Sequence, residues 1–272
     1  MPELPEVETI VRGLNVTVRG LTVQRVLYVS SHLLKREPRL GQLAGDTFRS
    51  FARRGKYIIA HLKSGRRLMI HLRMSGRILV GENQRRNDRH DHLEIAFRNR
   101  RQRLIFRDVR KFGIIQFVEA SQQAALERLG VEAPSIRTSQ LTVLVAGSNR
   151  PIKSLLLDQT VVAGLGNIYV DESLYRSGIH PLRASSSLSG AQIRALARAI
   201  RNIMTLAIRN LGTTFDSYSG VNGEFGGFVR HLKVYHLDGT RCDKCGDTIV
   251  RIKVGGRGTH YCPTCQKADR RS

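Results

Sequence analysis

The sequence predicts an α+β chain of more than one domain: a β-sandwich capped by an N-terminal helix, a helical region after it, and a four-cysteine zinc finger near the C-terminus. Three observations carry that expectation. Short alternating apolar runs recur between residues 22 and 118, apolar positions then switch to a spacing of three and four, and two Cys-x2-Cys pairs stand near the end.

The chain opens MPELPEVETI. After Pro5, the residues Val7, Ile10, Val11 and Leu14 fall at i, i+3, i+4 and i+7, which predicts a short amphipathic helix ending near 13–15. Leu68, Ile70, Leu72 and Met74 alternate with Arg67, Met69, His71 and Arg73 until Ser75-Gly76, a strand running into a turn. Further strands are expected at 22–29, 56–62, 92–97, 104–107 and 113–118, and that density suggests a sandwich. A short helix over 122–129 stops at Gly130, and 133–139 reads as a linker. Helices at 152–159 and 168–176 flank the turn Gly164-Leu165-Gly166-Asn167. Ser189 caps a long helix that carries Ile193, Leu196, Ile200, Ile203, Ala207 and Leu211 on one face and closes at Gly212. The glycine-rich stretch 213–228 keeps no period and is expected to be a mobile loop. The expected domains are 1–130, 131–232 with that loop, and 233–267.

Among 272 residues, 45 Lys+Arg face 22 Asp+Glu, a net charge of +23. Such an excess points to a polyanionic partner, nucleic acid first, because basic surfaces capture phosphates by releasing counterions. Ten of these cations lie between Arg85 and Lys111. No run approaches the roughly 18 apolar residues of a membrane span, and the acidic, proline-rich start is unlike a secretory signal. A cytoplasmic protein with reduced cysteines is expected.

Cys242, Cys245, Cys262 and Cys265 have the spacing of a four-thiolate zinc ribbon, in which two turns each supply two sulfurs to one tetrahedral ion. All four cysteines are used, so the metal would be structural; a pair of disulfides or free thiols is the alternative. Between the pairs, Gly255-Gly256-Arg257-Gly258 is either a phosphate-approaching hairpin tip or an ordinary exposed turn. The two Pro-Glu pairs at the start are equally two-sided. They suit a helix N-terminus, and Pro2, once Met1 is removed, would carry a free secondary amine.

Together these stretches resemble the bacterial formamidopyrimidine-DNA glycosylases, repair enzymes that excise oxidised purines such as 8-oxoguanine and then cut the strand. The resemblance runs through PELPEVE (2–8), GKY (55–57), HLRMSG (71–76), HDH (90–92), RDVRKFG (107–113), IKSLLLDQTVVAGLGNIYVDE (152–172), GTTF (212–215) and GGRGTHYCPTCQ (255–266). It implies a helix-two-turn-helix module around 152–176, a zinc finger holding one structural Zn2+, and a monomer. It also implies double-stranded DNA, bearing oxidised purines or abasic sites, in a cleft between domains. It makes Pro2 the Schiff-base nucleophile and Glu3 its acid/base partner. Lys56 becomes a phosphate contact and proton donor in β-elimination, and Arg257 the donor in δ-elimination. Met74, Arg110 and Phe112 would fill the gap left by an extruded nucleotide, with His71, His90, Ser148, Asn167 and Tyr235 as further DNA contacts. The stretch 213–228 aligns with the segment that closes over the lesion in relatives.

The chemistry of the residues agrees with those roles. An α-amine titrates near 7.7–8.0, so part of it is neutral and nucleophilic near neutrality, whereas a lysine would need strong desolvation. Three positions depart from the family pattern. Arg73 stands where relatives usually have Gly, Val109 where they have Pro, and Ser148 where a Lys is common, with Arg150 as a candidate substitute. Two rival readings are an endonuclease VIII-like glycosylase for oxidised pyrimidines, whose usual start is Pro-Glu-Gly-Pro-Glu against Leu4 here, and a DNA-binding protein without catalysis.

Overall fold

The computed structural model describes residues 1–82, 88–214, 220–221 and 223–268. The expected mobile loop therefore lies in part outside the described residues, as do Arg85 and Arg86 of the basic run and Phe215 of the GTTF motif. The chain divides into two compact units. One comprises Met1–Arg128 and Asn210–Val229, the other Leu129–Arg209 and Arg230–Ser272.

In the first unit, helix α1 (Leu4–Thr17) starts with Pro5 in its first turn and a reciprocal capping box between Glu3 and Glu6. It buries Leu4, Val7, Ile10, Val11 and Leu14, the expected face, and runs past the expected stop at 13–15. Two four-stranded antiparallel sheets follow. One has the order β1 (Val23–Val29), β6 (Asp91–Phe97), β7 (Arg103–Asp108), β5 (Gly76–Gly81). The other has β2 (Phe48–Arg54), β3 (Tyr57–Leu62), β4 (Arg67–His71), β8 (Ile114–Phe117). Short helices α2 (Ser31–Leu34) and α3 (Ala120–Glu127) complete it. The core gathers inward-facing residues of both sheets with Leu14 of α1, among them Phe48, Phe51, Ile70, Ile78, Phe97 and Phe106. This is the expected sandwich, with two strands the pattern did not reveal. In β2 a register shift between Phe48 and Ser50 puts the buried phenylalanines three apart, which erases the period of two. In β5 only Ile78 and Val80 alternate between glycines.

The returning segment is tied into the same unit. Val80 N–H donates to Val221 O at 2.9 Å, and the Val221 side chain is 2 % exposed within the sandwich core. Gly13 makes room for it: a Cβ there would stand 2.5 Å from Val221 Cγ2.

In the second unit, β9 (Val131–Glu132) pairs in parallel with β10 (Val162–Ala163). Helices α4 (Thr138–Ala146), α5 (Ile152–Leu157), α6 (Asn167–Ser177) and α7 (Gly190–Arg209) surround a second core, with α7 packed on α4 and α6. The expected linker at 133–139 is structured: a helical turn covers Ala133–Ser135 and α4 begins at Thr138, whose weak amphipathic pattern hid it. Ser189 caps α7 as expected, its Oγ accepting from Gln192 N–H at 3.3 Å while Gln192 Oε1 accepts from Ser189 N–H at 2.9 Å. The hairpin β11 (Val250–Val254) and β12 (Arg257–Tyr261) turns at Gly255–Gly256. Among the described residues no helix is long and apolar enough to cross a membrane.

Gly13 lies in a helix, where alanine would ordinarily gain about 1 kcal/mol. Here overpacking against Val221, about 1–3 kcal/mol, outweighs that gain. Gly13→Ala is expected to lower the urea midpoint, and a raised midpoint would place Val221 elsewhere.

Candidate active site and zinc centre

Pro2 and Glu3 are buried immediately before α1, so the chain's start lies at the positive end of a helix. Glu6, 2 % exposed, braces this corner with both oxygens. Its Oε2 accepts from Glu3 N–H at 2.7 Å and its Oε1 accepts from Thr213 N–H at 2.7 Å. Gly212 adopts φ +80°, and any Cβ on it would stand 2.7 Å from Glu6 Oε1. The GTTF motif thus begins with a residue that only glycine can be without displacing the carboxylate.

Lys56 is buried in the β2–β3 turn, one residue before Tyr57, which pairs in register with His71. The Tyr57 and His71 rings meet edge to face at 4.6 Å. Burial, aided by the positive charges of Arg73 and Lys56, pushes the His71 imidazolium down to about 3. The ring is therefore neutral at physiological pH. Its Nδ1 accepts from Arg73 N–H at 2.9 Å, so the proton resides on Nε2, which can donate to an anionic oxygen. The strand expected to reach Met74 ends at His71. Arg73 takes φ +55°, a left-handed conformation that accounts for the glycine usual at this position.

Met74, Arg110 and Phe112 come from two separate loops, and one carboxylate joins them. Asp108, 1 % exposed, accepts from Ser75 Oγ at 2.5 Å, Arg110 N–H at 3.2 Å and Gly113 N–H at 2.7 Å. Its own N–H donates to His90 O at 2.9 Å, and its carbonyl meets His92 Nε2 at 2.9 Å. Met74 and Phe112 are left 40 % and 48 % exposed, large apolar side chains turned outward. The Arg110 guanidinium lies 5.0 Å from the Phe112 ring centroid, and Lys111 between them has φ +57°.

In the second unit, Asn167 opens α6 and donates through Nδ2 to Gly258 O at 2.8 Å. Lys153 Nζ donates to the same carbonyl at 3.1 Å and to Asp171 Oδ1 at 2.5 Å. Asp171 Oδ2 accepts from His260 N–H at 2.9 Å. Lys153 and Asp171 are fully buried, so an internal ion pair fixes the hairpin that exposes Arg257. Glu172 Oε1 accepts from the N–H groups of Lys233, Val234 and Tyr235 at 2.8, 2.9 and 3.1 Å, which sets Tyr235 in place. Burial holds the Glu172 carboxyl above its ordinary range although these donors pull the other way. The Tyr235 ring stacks on His236 at 4.4 Å and meets His260 edge-on. Ser148 Oγ accepts from Arg150 N–H at 3.2 Å, and the Arg150 guanidinium pairs with Asp158 at 3.0 Å.

The ligand atoms of Cys242, Cys245, Cys262 and Cys265 all lie within 4.8 Å of one another. Two of the separations, Cys242–Cys265 at 3.8 Å and Cys245–Cys262 at 3.4 Å, are far beyond the roughly 2.05 Å of a disulfide. They match the edge of about 3.8 Å in a tetrahedron with Zn–S near 2.3 Å. The residues fit the metal, and the finger holds one structural Zn2+. Tyr175, Val234 and Ile249 pack with Cys242 and Cys262 in a small core of their own.

The structure thus brings Pro2, Glu3, Lys56, His71, Met74, His90, Arg110 and Phe112 into the first unit, and Ser148, Asn167, Tyr235 and Arg257 with the four cysteines into the second. Sequence reasoning named every one of these and missed their supports: Glu6, Asp108, Lys153, Asp171 and Glu172. All five lie inside the quoted motifs, and Glu6 alone also left a local signal, as the second member of an E-x-x-E capping pattern.

Comparison with known proteins agrees along the whole length. The formamidopyrimidine-DNA glycosylase N-terminal domain matches residues 1–115, the H2TH domain of the same enzymes 129–219, and the zinc finger found in FPG and IleRS 239–268. A formamidopyrimidine-DNA glycosylase of Halalkalibacterium halodurans is 40 % identical over 98 % of this chain and 100 % of its own. A complex of Lactococcus lactis Fpg with abasic-site DNA superposes with a TM-score of 0.90, 36 % identity, and coverage of 98 % of this chain and 100 % of that one. A complex of MutM with DNA containing carbocyclic 8-oxo-G gives 0.89 and 35 %, with the same coverage. The class is that of multidomain DNA glycosylases with a helix-two-turn-helix module and a zinc finger. Within it, the chain belongs to the formamidopyrimidine-DNA glycosylase family.

Two outcomes are expected from this geometry. The depressed His71 value means that the unfolded chain binds a proton below pH 6.5 that the folded chain refuses until about 3, so stability falls as pH drops through that window. His71→Asn, whose Oδ1 can still accept from Arg73, should flatten the acid limb of a stability–pH curve by up to about 1.4 kcal/mol per pH unit; an unchanged limb would contradict a neutral buried ring. Asp171→Asn strands the Lys153 ammonium and should destabilise the second unit by about 3–5 kcal/mol in denaturant unfolding, with a loss under about 1 kcal/mol counting against the ion pair.

Proposed function

We propose that this chain is a bifunctional base-excision-repair enzyme. It removes oxidised purines, 8-oxoguanine and formamidopyrimidines, from duplex DNA and then nicks the strand. The observation that carries this reading is the buried Pro2–Glu3 pair at the start of α1, held by Glu6 within a chain of this family.

With Met1 removed, the neutral Pro2 nitrogen attacks C1′ of the damaged nucleotide, and the C1′–base bond breaks with its electron pair leaving on the base, which takes up the proton that the nitrogen sheds. Glu3 protonates O4′ as the sugar opens, giving an iminium that makes the 2′ proton acidic. The Glu3 carboxylate, having given its proton to O4′, takes the 2′ proton as the C3′–O bond breaks and the 3′ phosphate leaves, with Lys56 as proton donor. A second elimination, assisted by Arg257, expels the 5′ phosphate and leaves a gap with phosphates on both sides. Extruding the nucleotide costs a few kcal/mol. Phe112 wedges between base pairs, Met74 fills the irregular space, and Arg110 hydrogen-bonds the orphaned base. Their outward exposure and common tether to Asp108 support that assignment. His71 donates from Nε2 to a phosphate, and His90, Ser148, Asn167 and Tyr235 are further contacts. The working parts are 1–130 for chemistry, 131–232 for DNA binding with the lesion loop at 213–228, and 233–267 for the finger. The enzyme acts as a monomer in the bacterial cytoplasm, at the nucleoid.

Leu4, Arg110 and Phe112 favour purines over the pyrimidine branch, in line with neighbours solved on abasic and 8-oxo-G DNA. Borohydride should trap a covalent adduct on duplexes with 8-oxoguanine opposite cytosine and much less on thymine glycol duplexes. An extra residue ahead of Pro2 should abolish both excision and nicking, and Glu3→Gln should slow excision by about 10²–10⁴-fold. Full turnover with the proline nitrogen blocked would sink the mechanism.

A further inference from the structure

The sandwich carries a second concentration of cations at the end of its sheets remote from the site. Strands β4 and β7 deliver His71, Met74, Asp108 and Arg110 at one end. The turns at their other ends, 63–66 and 98–102, hold Lys63, Arg98, Arg100 and Arg101, all exposed. Backbone hydrogen bonds place these turns side by side. Arg98 N–H donates to Thr22 O at 2.9 Å, Thr22 bridges to Thr47, and Lys63 N–H donates to Thr47 O at 2.9 Å. Exposed Arg19 lies in the turn after α1, whose Gly20 N–H donates to Phe48 O at 2.7 Å.

The carboxylates at this end do not neutralise the five. Glu94 pairs with Arg103 at 2.8 Å, Asp46 with Arg66 at 3.2 Å and Glu119 with Arg39 at 2.7 Å. None of the five cations forms an ion pair among the described residues. Strand rise puts them about 20 Å from Met74 and Arg110, roughly the width of a double helix. A duplex that crosses the Met74 end at right angles to the strands therefore ends short of them.

We propose that this far end of the sandwich is a second phosphate-backbone surface, which holds another duplex segment while the first is engaged. The inference rests on the proposed DNA function. Two duplexes on one enzyme allow direct transfer between segments, so a search for lesions does not require release into solution. Contact is through phosphates alone, since exposed arginines on turns offer charge and no groove-shaped element.

Borohydride-trapped adduct on a short lesion duplex occupies the active site covalently, and capture of a second, labelled, lesion-free duplex then reports the far end alone. The wild-type adduct should capture that duplex at low salt and release it as salt rises. The adduct of Arg98→Glu/Arg100→Glu/Arg101→Glu should form at the wild-type rate and capture it at least about tenfold more weakly. Equal capture by both adducts, no capture by the wild-type adduct, or capture of RNA in preference to duplex would overturn the proposal. Failure of the wild-type protein to trap on the first duplex would instead strike the glycosylase assignment, and slow trapping by the triple variant alone would place these arginines on the first duplex and overturn the proposal.

Discussion

The buried carboxylate of Asp108 is the constraint on which the first unit's outward-facing residues depend. Met74 and the Arg110–Phe112 pair come from loops more than thirty residues apart, and neither loop has regular structure to fix it. A single carboxylate receives Ser75 Oγ, Arg110 N–H and Gly113 N–H, while the backbone of Asp108 binds His90 and His92. Because a carboxylate that receives two or three donors is a strong, directional acceptor, the loops are pinned without covering the side chains they present. That combination of a fixed base and exposed apolar tips suits insertion into a base stack.

The same device recurs throughout the molecule. Glu6 joins Glu3 to Thr213, Glu172 gathers three N–H groups before Tyr235, and Asp171 clamps Lys153 and His260 beneath the finger hairpin. A chain with a net charge of +23 has placed many of its acids inside: Glu3, Glu6, Glu37, Asp91, Asp108, Asp171 and Glu172 are all buried. The acids act as internal braces, and the positive charge is left to the surface.

Two positions explain departures from the family pattern. Arg73 occupies a left-handed backbone site, and its N–H is received by the neutral Nδ1 of His71, which offsets part of the conformational cost. Arg150, the candidate replacement for the absent lysine at 148, is engaged with Asp158, so its charge is partly compensated inside the second unit. Nothing in the structure explains valine at 109, which is 57 % exposed.

The sequence by itself determined the α1 face, most strands, the capped α7 and the zinc ligands. Each of these is written in local spacing: periods of two and 3.6, a serine cap, Cys-x2-Cys. The residues proposed to carry chemistry were legible for a different reason, as short motifs whose composition is unusual for core or loop. The tertiary structure alone decided what holds them. The Glu6–Thr213 bond spans 207 residues and the Lys153–Gly258 bond 105; neither leaves a periodic trace, since a buried acid looks like any surface acid until its partners are folded around it. Strand β2 was hidden for a related reason, because its bulge breaks the alternation that only pairing with β3 makes sense of.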